Sequence, residues 1–172
     1  HCNGKAPWCS IISVSRWFSP IRVSETSRLV ALSVQALLDR GARDPRAHLA
    51  LVTREAVATL LTSPTPLSDA DLDALEAASA ARGFTVLASP RRQAADARLD
   101  AIIRSRSAAE LEAAIADPVF DYSPPTDARP FFFNMVRPLS WWRTDIVSDR
   151  GVMAGNLRAT GTLVTIFAVS LA

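Results

Sequence analysis

The chain has 172 residues, of which 49% are hydrophobic, enough apolar material for one ordinary domain core and too much for a disordered segment. Nineteen Lys and Arg stand against seventeen Asp and Glu, for a formal net charge of +2. That balance leaves no basic field to hold nucleic acid, so this partner class is excluded.

Among the basic residues only Lys5 is a lysine, and the abundance of alanine and arginine fits a GC-rich bacterial coding sequence. The first ten residues, with Cys2 and Cys9, differ in style from the rest. Such a pair is compatible with metal binding or with a disulfide, but no second ligand cluster accompanies it and His48 stands alone. A truncated or frameshifted start over 1–10 is therefore expected, and no signal peptide is visible.

Ile11 to Ser15 reads as a buried strand that empties into a loop at Arg16-Trp17-Phe18-Ser19-Pro20. From Ser24 the apolar residues Leu29, Leu32, Leu37 and Leu38 take up the helical period, and Gly41 supplies the stop. Two strand-like runs follow, His48 to Thr53 and Ala56 to Ser63, close enough to pair antiparallel before Pro64 and Pro66 end the second. Ser68 with Asp71 caps a helix that runs to Gly83, and Phe84 to Ala88 forms another short strand. Leu99, Ile102 and Ile103 give the charged stretch from Arg91 to Arg106 one apolar face. Ser107 and Glu110 then open a helix that stops at Asp117-Pro118. Strand, helix, strand pair, helix, strand is the order of the second half of an α/β sheet domain that finishes in an antiparallel hairpin. The six glycines are scattered and form no loop that could cradle a nucleotide or adenosyl cofactor.

The stretch from Asp121 to Asn134 is too rich in proline for a helix or central strand and too aromatic for a free linker, so it is expected to dock. Asp127 and Arg129 within it either border a ligand cleft, with Phe131, Phe132 and Phe133 as anchors, or form an ion pair that fixes the exit of the domain. Beyond them, Arg137, Trp141, Trp142, Arg143 and Arg150 precede an uncharged run from Ala159 to Ala172. Tryptophan and arginine beside an apolar run are what a membrane interface selects, with arginine favouring the cytoplasmic side. The expected organisation is thus 1–10 as a truncated start, 11–136 as an α/β part, 137–158 as a juxtamembrane linker and 159–172 as the beginning of a transmembrane helix.

Four segments carry a resemblance to a known family: Ile11-Ile12-Ser13-Val14-Ser15-Arg16-Trp17, Ser27-Arg28-Leu29-Val30-Ala31-Leu32, Val57-Ala58-Thr59-Leu60-Leu61-Thr62-Ser63, and Pro124-Pro125-Thr126-Asp127-Ala128-Arg129-Pro130-Phe131-Phe132-Phe133-Asn134 with Gly155-Asn156-Leu157-Arg158 entering a helix. Over about residues 10 to 172 the chain resembles the bacterial multi-pass membrane proteins that carry a spermidine-synthase-like, S-adenosylmethionine-methyltransferase-type domain. The resemblance implies an α/β, partial Rossmann-like methyltransferase fold, comprising its C-terminal half, in which Ile11 to Ser15 is the fifth strand and the strand pair is the terminal hairpin. It places the cofactor turn after the first strand and the acidic residue that activates the amine after the fourth, both ahead of residue 1. One departure is clear, since Ala56 to Ser63 has neither the tryptophan nor the glycine of the hairpin that closes a diamine pocket in soluble synthases.

Two functions follow from this reading. One is a membrane-anchored aminopropyl- or methyltransferase with an S-adenosylmethionine-type donor and a small amine substrate, at a bacterial inner membrane with the α/β part cytoplasmic. The other is a non-catalytic membrane transport or sensory protein that keeps the sheet as a scaffold. For the first, Arg16, Trp17, Asp127 and Arg129 are the pocket candidates, Arg16 and Trp17 because ligands bind outside the carboxyl ends of sheet strands. No general base, nucleophile pair or metal cluster is legible, so the chain alone is expected to be inert and to bind no cofactor.

Overall fold

The computed structural model describes residues 11–19, 24–130, 132–133, 135–137, 140 and 152–171. Cys2, Cys9, Phe131, Asn134, Trp141, Trp142, Arg143 and Arg150 lie outside the described residues. The chain forms two compact units, His1–Ile115 and Ala116–Ala172.

The first unit is mixed α/β. In chain order it contains β1 (Ile12–Trp17), α1 (Ser24–Asp39), a 3-10 turn (Pro45–His48), β2 (Leu49–Arg54), β3 (Val57–Thr62), α2 (Asp69–Arg82), β4 (Thr85–Ala88), α3 (Ala97–Arg104) and α4 (Ala108–Ile115). The strands form one sheet in the order β1-β3-β2-β4, with every neighbouring pair antiparallel. The expected hairpin is present: β2 and β3 pair from Leu49↔Thr62 to Arg54↔Val57 across the two-residue turn Glu55-Ala56. Glu55 takes φ +54°, a left-handed conformation that a tight hairpin demands and that costs a non-glycine residue about 1 kcal/mol.

Strands β1 and β2 differ in setting. β2 is buried on both faces from Leu49 to Val52, as its unbroken apolar run suits. β1, read from the sequence as buried, lies at the sheet edge among the described strands and is exposed: Val14 is partly covered, and Ile12 and Trp17 are 60% and 70% exposed. An apolar run signals a strand but does not specify which strands flank it, so burial could not be read from Ile11-Ile12 alone.

Helix ends follow the expected chemistry. Gly41 at φ +84° ends α1, with its own N–H donating to Leu38 and the N–H of Ala42 to Leu37. Around Ser68 and Asp71 a full capping box forms, and Gly83 closes α2 at φ +69°. At α4 the Glu110 N–H donates to Ser107 Oγ (3.2 Å), whereas the Glu110 carboxylate accepts from the N–H of Arg106, one residue earlier than in the standard box.

Helix α1 packs against β1 and β3 and also against α3 and α4, while α2 lies on β4. Leu29, Val30, Ala31, Val34 and Leu37 of α1 therefore meet neighbours on more than one side, together with Leu99, Ile102, Ile103 and Leu111 from α3 and α4. His48 is buried at the start of β2, where its Nδ1 donates to the Ser63 carbonyl (3.0 Å) and so ties the open end of the hairpin. That is a structural role for His48.

In the second unit the proline-rich stretch closes on itself. Asp121 N–H donates to Met135 (2.7 Å) and Arg137 N–H to Val119 (2.9 Å), so entry and exit run side by side around the Phe120↔Val136 bridge. Phe120 and Tyr122 meet edge to face at 6.2 Å and are buried, as is Met135. The described residues of this stretch thus pack against one another within the second unit. A helix, α5 (Val152–Ser170), begins seven residues before the uncharged run. Among the described residues no helix is long and apolar enough to cross a membrane. The reason lies in the sequence of α5: its first two turns contain Asn156 and Arg158, and Thr160, Thr162 and Thr165 dilute the rest.

Candidate functional site

The two strands attached to α1 define where a site could sit. β1 and β2 are each antiparallel to β3 and hence parallel to each other, with α1 as the crossover between them. Their carboxyl ends, the hairpin turn at Glu55 and the first turn of α1 share one edge of the sheet, where the Phe18 N–H extends the ladder to Ala56 (2.8 Å).

Arg16 and Trp17 are both at that edge but on opposite faces. Thr62 Oγ1 donates to Ser33 of α1 at 3.3 Å, which identifies the face that α1 covers. Alternation puts Ala58, Leu60 and their partners Arg16 and Val14 on the same face, and Trp17, opposite Val57, on the other. Trp17 shares its face with Ser15 and Thr59, whose hydroxyls meet at 2.9 Å across the strands.

A residue that the sequence reading passed over accompanies Arg16. Glu25 stands in the first turn of α1, half-buried, with Oε2 shielded from solvent and lacking a hydrogen-bond partner among the described residues. Desolvation raises its pKa above the ordinary glutamate value, and the Arg16 guanidinium pulls it part of the way back. A carboxyl that holds its proton at higher pH, beside an arginine at the carboxyl end of β1, is chemically competent for proton exchange or for a cationic group. Its only sequence signal was an acidic residue after a helix start, which normally indicates favourable interaction with the helix dipole. Three positions on, Arg28 is 2% exposed, so α1 also carries a fully buried arginine.

Asp127 and Arg129 belong to the second unit. Thr126 and Arg129 exchange backbone hydrogen bonds at 2.8 and 3.3 Å, making Asp127 and Ala128 the tip of a tight exposed turn. Arg129 reaches Asp121 at 3.9 Å, so the acid it approaches is not Asp127. Asp121 in turn accepts from the N–H of Ser123 at 3.0 Å and from its hydroxyl. Phe132 and Phe133 pack edge to face at 5.4 Å. The structure thus places the four expected site residues in two separate pairs, one in each unit.

Among the described residues no group of histidine, cysteine and carboxylate side chains is arranged to hold a metal ion. Comparison with protein-family models, curated proteins and solved structures gives no match for this chain.

Proposed function

We propose that this chain is the C-terminal half of a spermidine-synthase-like transferase domain, anchored to a membrane through α5 and serving an adenosyl sulfonium donor held by the rest of the domain. The observation that carries the reading is the strand order. A parallel β1-α1-β2 unit that receives β3 antiparallel between its two strands is what a Rossmann-like sheet becomes when it ends in a reversed hairpin. β1 has one paired side among the described strands and keeps apolar residues exposed on a six-residue edge, a feature that natural sheets cover. Continuation of the sheet beyond β1 would cover it.

In this reading Arg16 and Glu25 face the donor-binding edge. Transfer from a sulfonium to an amine needs the amine deprotonated and the two reactants aligned, and a carboxylate beside the site attracts the cationic amine. In this reading the donor site belongs to the rest of the domain, and the chain by itself is expected to turn over no substrate.

Support for the anchor comes from α5. Leu163, Ile166, Phe167, Val169 and Leu171 are 57–73% exposed, and the run from Ala159 onward carries no charge. The hydroxyls of Thr162, Thr165 and Ser170 donate to carbonyls four residues back (2.8–2.9 Å), so entry into lipid leaves none of them unpaired.

The full gene product in membranes is expected to bind S-adenosylmethionine in calorimetry, and the 172-residue chain is expected to show no turnover with adenosyl sulfonium donors. A full product that binds no adenosyl donor overturns the transferase in favour of a scaffold in a transport or sensory protein. Turnover by the chain alone overturns its assignment as an inert half.

A further inference from the structure

We propose that the first unit contains a second, independent site: a cleft in which Arg46 binds the carboxylate or phosphate group of a small ligand. The cavity measures about 420 Å³ and is lined by Asp44, Arg46, Pro90, Arg104, Arg106 and Glu110. These residues come from the 3-10 turn before β2, the loop after β4, the end of α3 and the start of α4, so four parts of the unit converge on it.

The charges in the lining do not cancel. Three guanidinium groups face two carboxylates, and both carboxylates are already engaged. Asp44 Oδ2 lies 3.5 Å from Arg106 Nη2. Glu110 Oε2 accepts the backbone N–H of Arg106 at 2.8 Å and thus serves the main chain. Arg104 leans on Asp100 at 3.5 Å, an acid that also accepts from Gln93 Nε2 at 3.0 Å. For Arg46 there is no carboxylate within ion-pair distance among the described residues, so its fork of donors is unused beside a concave surface.

A planar guanidinium in that state matches the two oxygens of a carboxylate or phosphate, which it can bind bidentately. The concave lining brings Arg104 and Arg106 to the same ligand, so their charges add to the attraction of Arg46. Arg104 stands ready as a second donor, and Asp44 and Glu110 can accept from hydroxyl or ammonium groups elsewhere on the same ligand. The site therefore suits a compact polar metabolite with one oxyanion group. Residues Arg16, Glu25 and α5 take no part, so the cleft stands whether or not the transferase reading does.

Titration of the 172-residue chain with inorganic phosphate and, separately, with succinate is the test, read by amide chemical shifts at low ionic strength. The expected result is saturable shifts confined to residues 44–47, 90–91 and 104–110, suppressed by salt. Saturation by phosphate alone identifies a phosphate ligand and by succinate alone a carboxylate one. Arg46→Gln is expected to weaken binding about tenfold or more, the loss of one charge-assisted pair, while Arg82→Gln on the exposed face of α2 leaves it unchanged. Arg104→Gln serves as the second variant should Arg46→Gln lower the melting temperature. Absence of saturable local shifts with both anions, or equal binding by wild type and both lining variants, overturns the proposal.

Discussion

Helices α1 and α5 are close in length, at sixteen and nineteen residues, and both are rich in aliphatic side chains, yet α1 hides its own and α5 displays them. In α1 the buried positions Leu29, Val30, Val34 and Leu37 are each at most 6% exposed, because the sheet and the α3-α4 pair press on the helix from different directions. In α5 the exposed apolar residues from Leu163 to Val169 fall on all sides of a helix with about 3.6 residues per turn. Hydrophobicity alone therefore does not decide burial in this chain. A helix with apolar residues all round needs neighbours on every side or a solvent other than water.

The largest effect that tests this contrast is expected at Leu37, 3% exposed in α1. Leu37→Ala should lower the unfolding free energy by about 3 kcal/mol in a denaturant melt, through lost transfer energy and a residual cavity. Phe167→Ala in α5 should leave that melt within about 0.5 kcal/mol, but should weaken partition onto neutral phosphatidylcholine vesicles by about 2 kcal/mol, a factor of ~30. Equal losses for the two variants in the melt would erase the distinction between the helices. Unchanged vesicle binding for Phe167→Ala would remove the anchor.

A smaller and pH-dependent effect is expected at Glu25. Its folded pKa lies above the unfolded value because burial penalises the ionised carboxylate. The associated stability is complete below about pH 4 and is lost as pH rises through the raised folded value. Glu25→Gln stays neutral throughout, so it should stabilise the chain at neutral pH relative to wild type and lose that advantage near pH 4. Thermal melts across this range measure it, and destabilisation at neutral pH would show that the ionised Glu25 is held by a favourable partner.

Much of the first unit was legible because its signals are local. Gly41, Gly83, Ser68 and Ser107 mark helix ends through backbone conformation or a side chain three residues from its partner, and the β2-β3 pair follows from two apolar runs separated by a two-residue turn. What remained hidden depends on distant neighbours. The exposure of β1 is set by which strands flank it, and Arg28 reads as a solvated position on any helical wheel although its side chain is buried. The site was less legible still. Glu25 acquires its chemistry from burial, and Arg16 and Trp17, adjacent in sequence, are sent to opposite faces by the pleat. In the proline-rich stretch Asp127 and Arg129 suggested an ion pair by proximity, whereas the turn at Thr126 sends Arg129 back toward Asp121.

That stretch has one more consequence, which concerns path length. Because Val119 and Arg137 are held side by side by backbone hydrogen bonds, the chain between them makes a detour and returns, adding no net displacement to the route it follows. Residues inserted at the Asp127-Ala128 tip would enlarge the excursion without redirecting whatever follows Arg137. Length variation here is uncoupled from the course of the chain, so the excursion can be rebuilt in size and composition while its two ends keep their register.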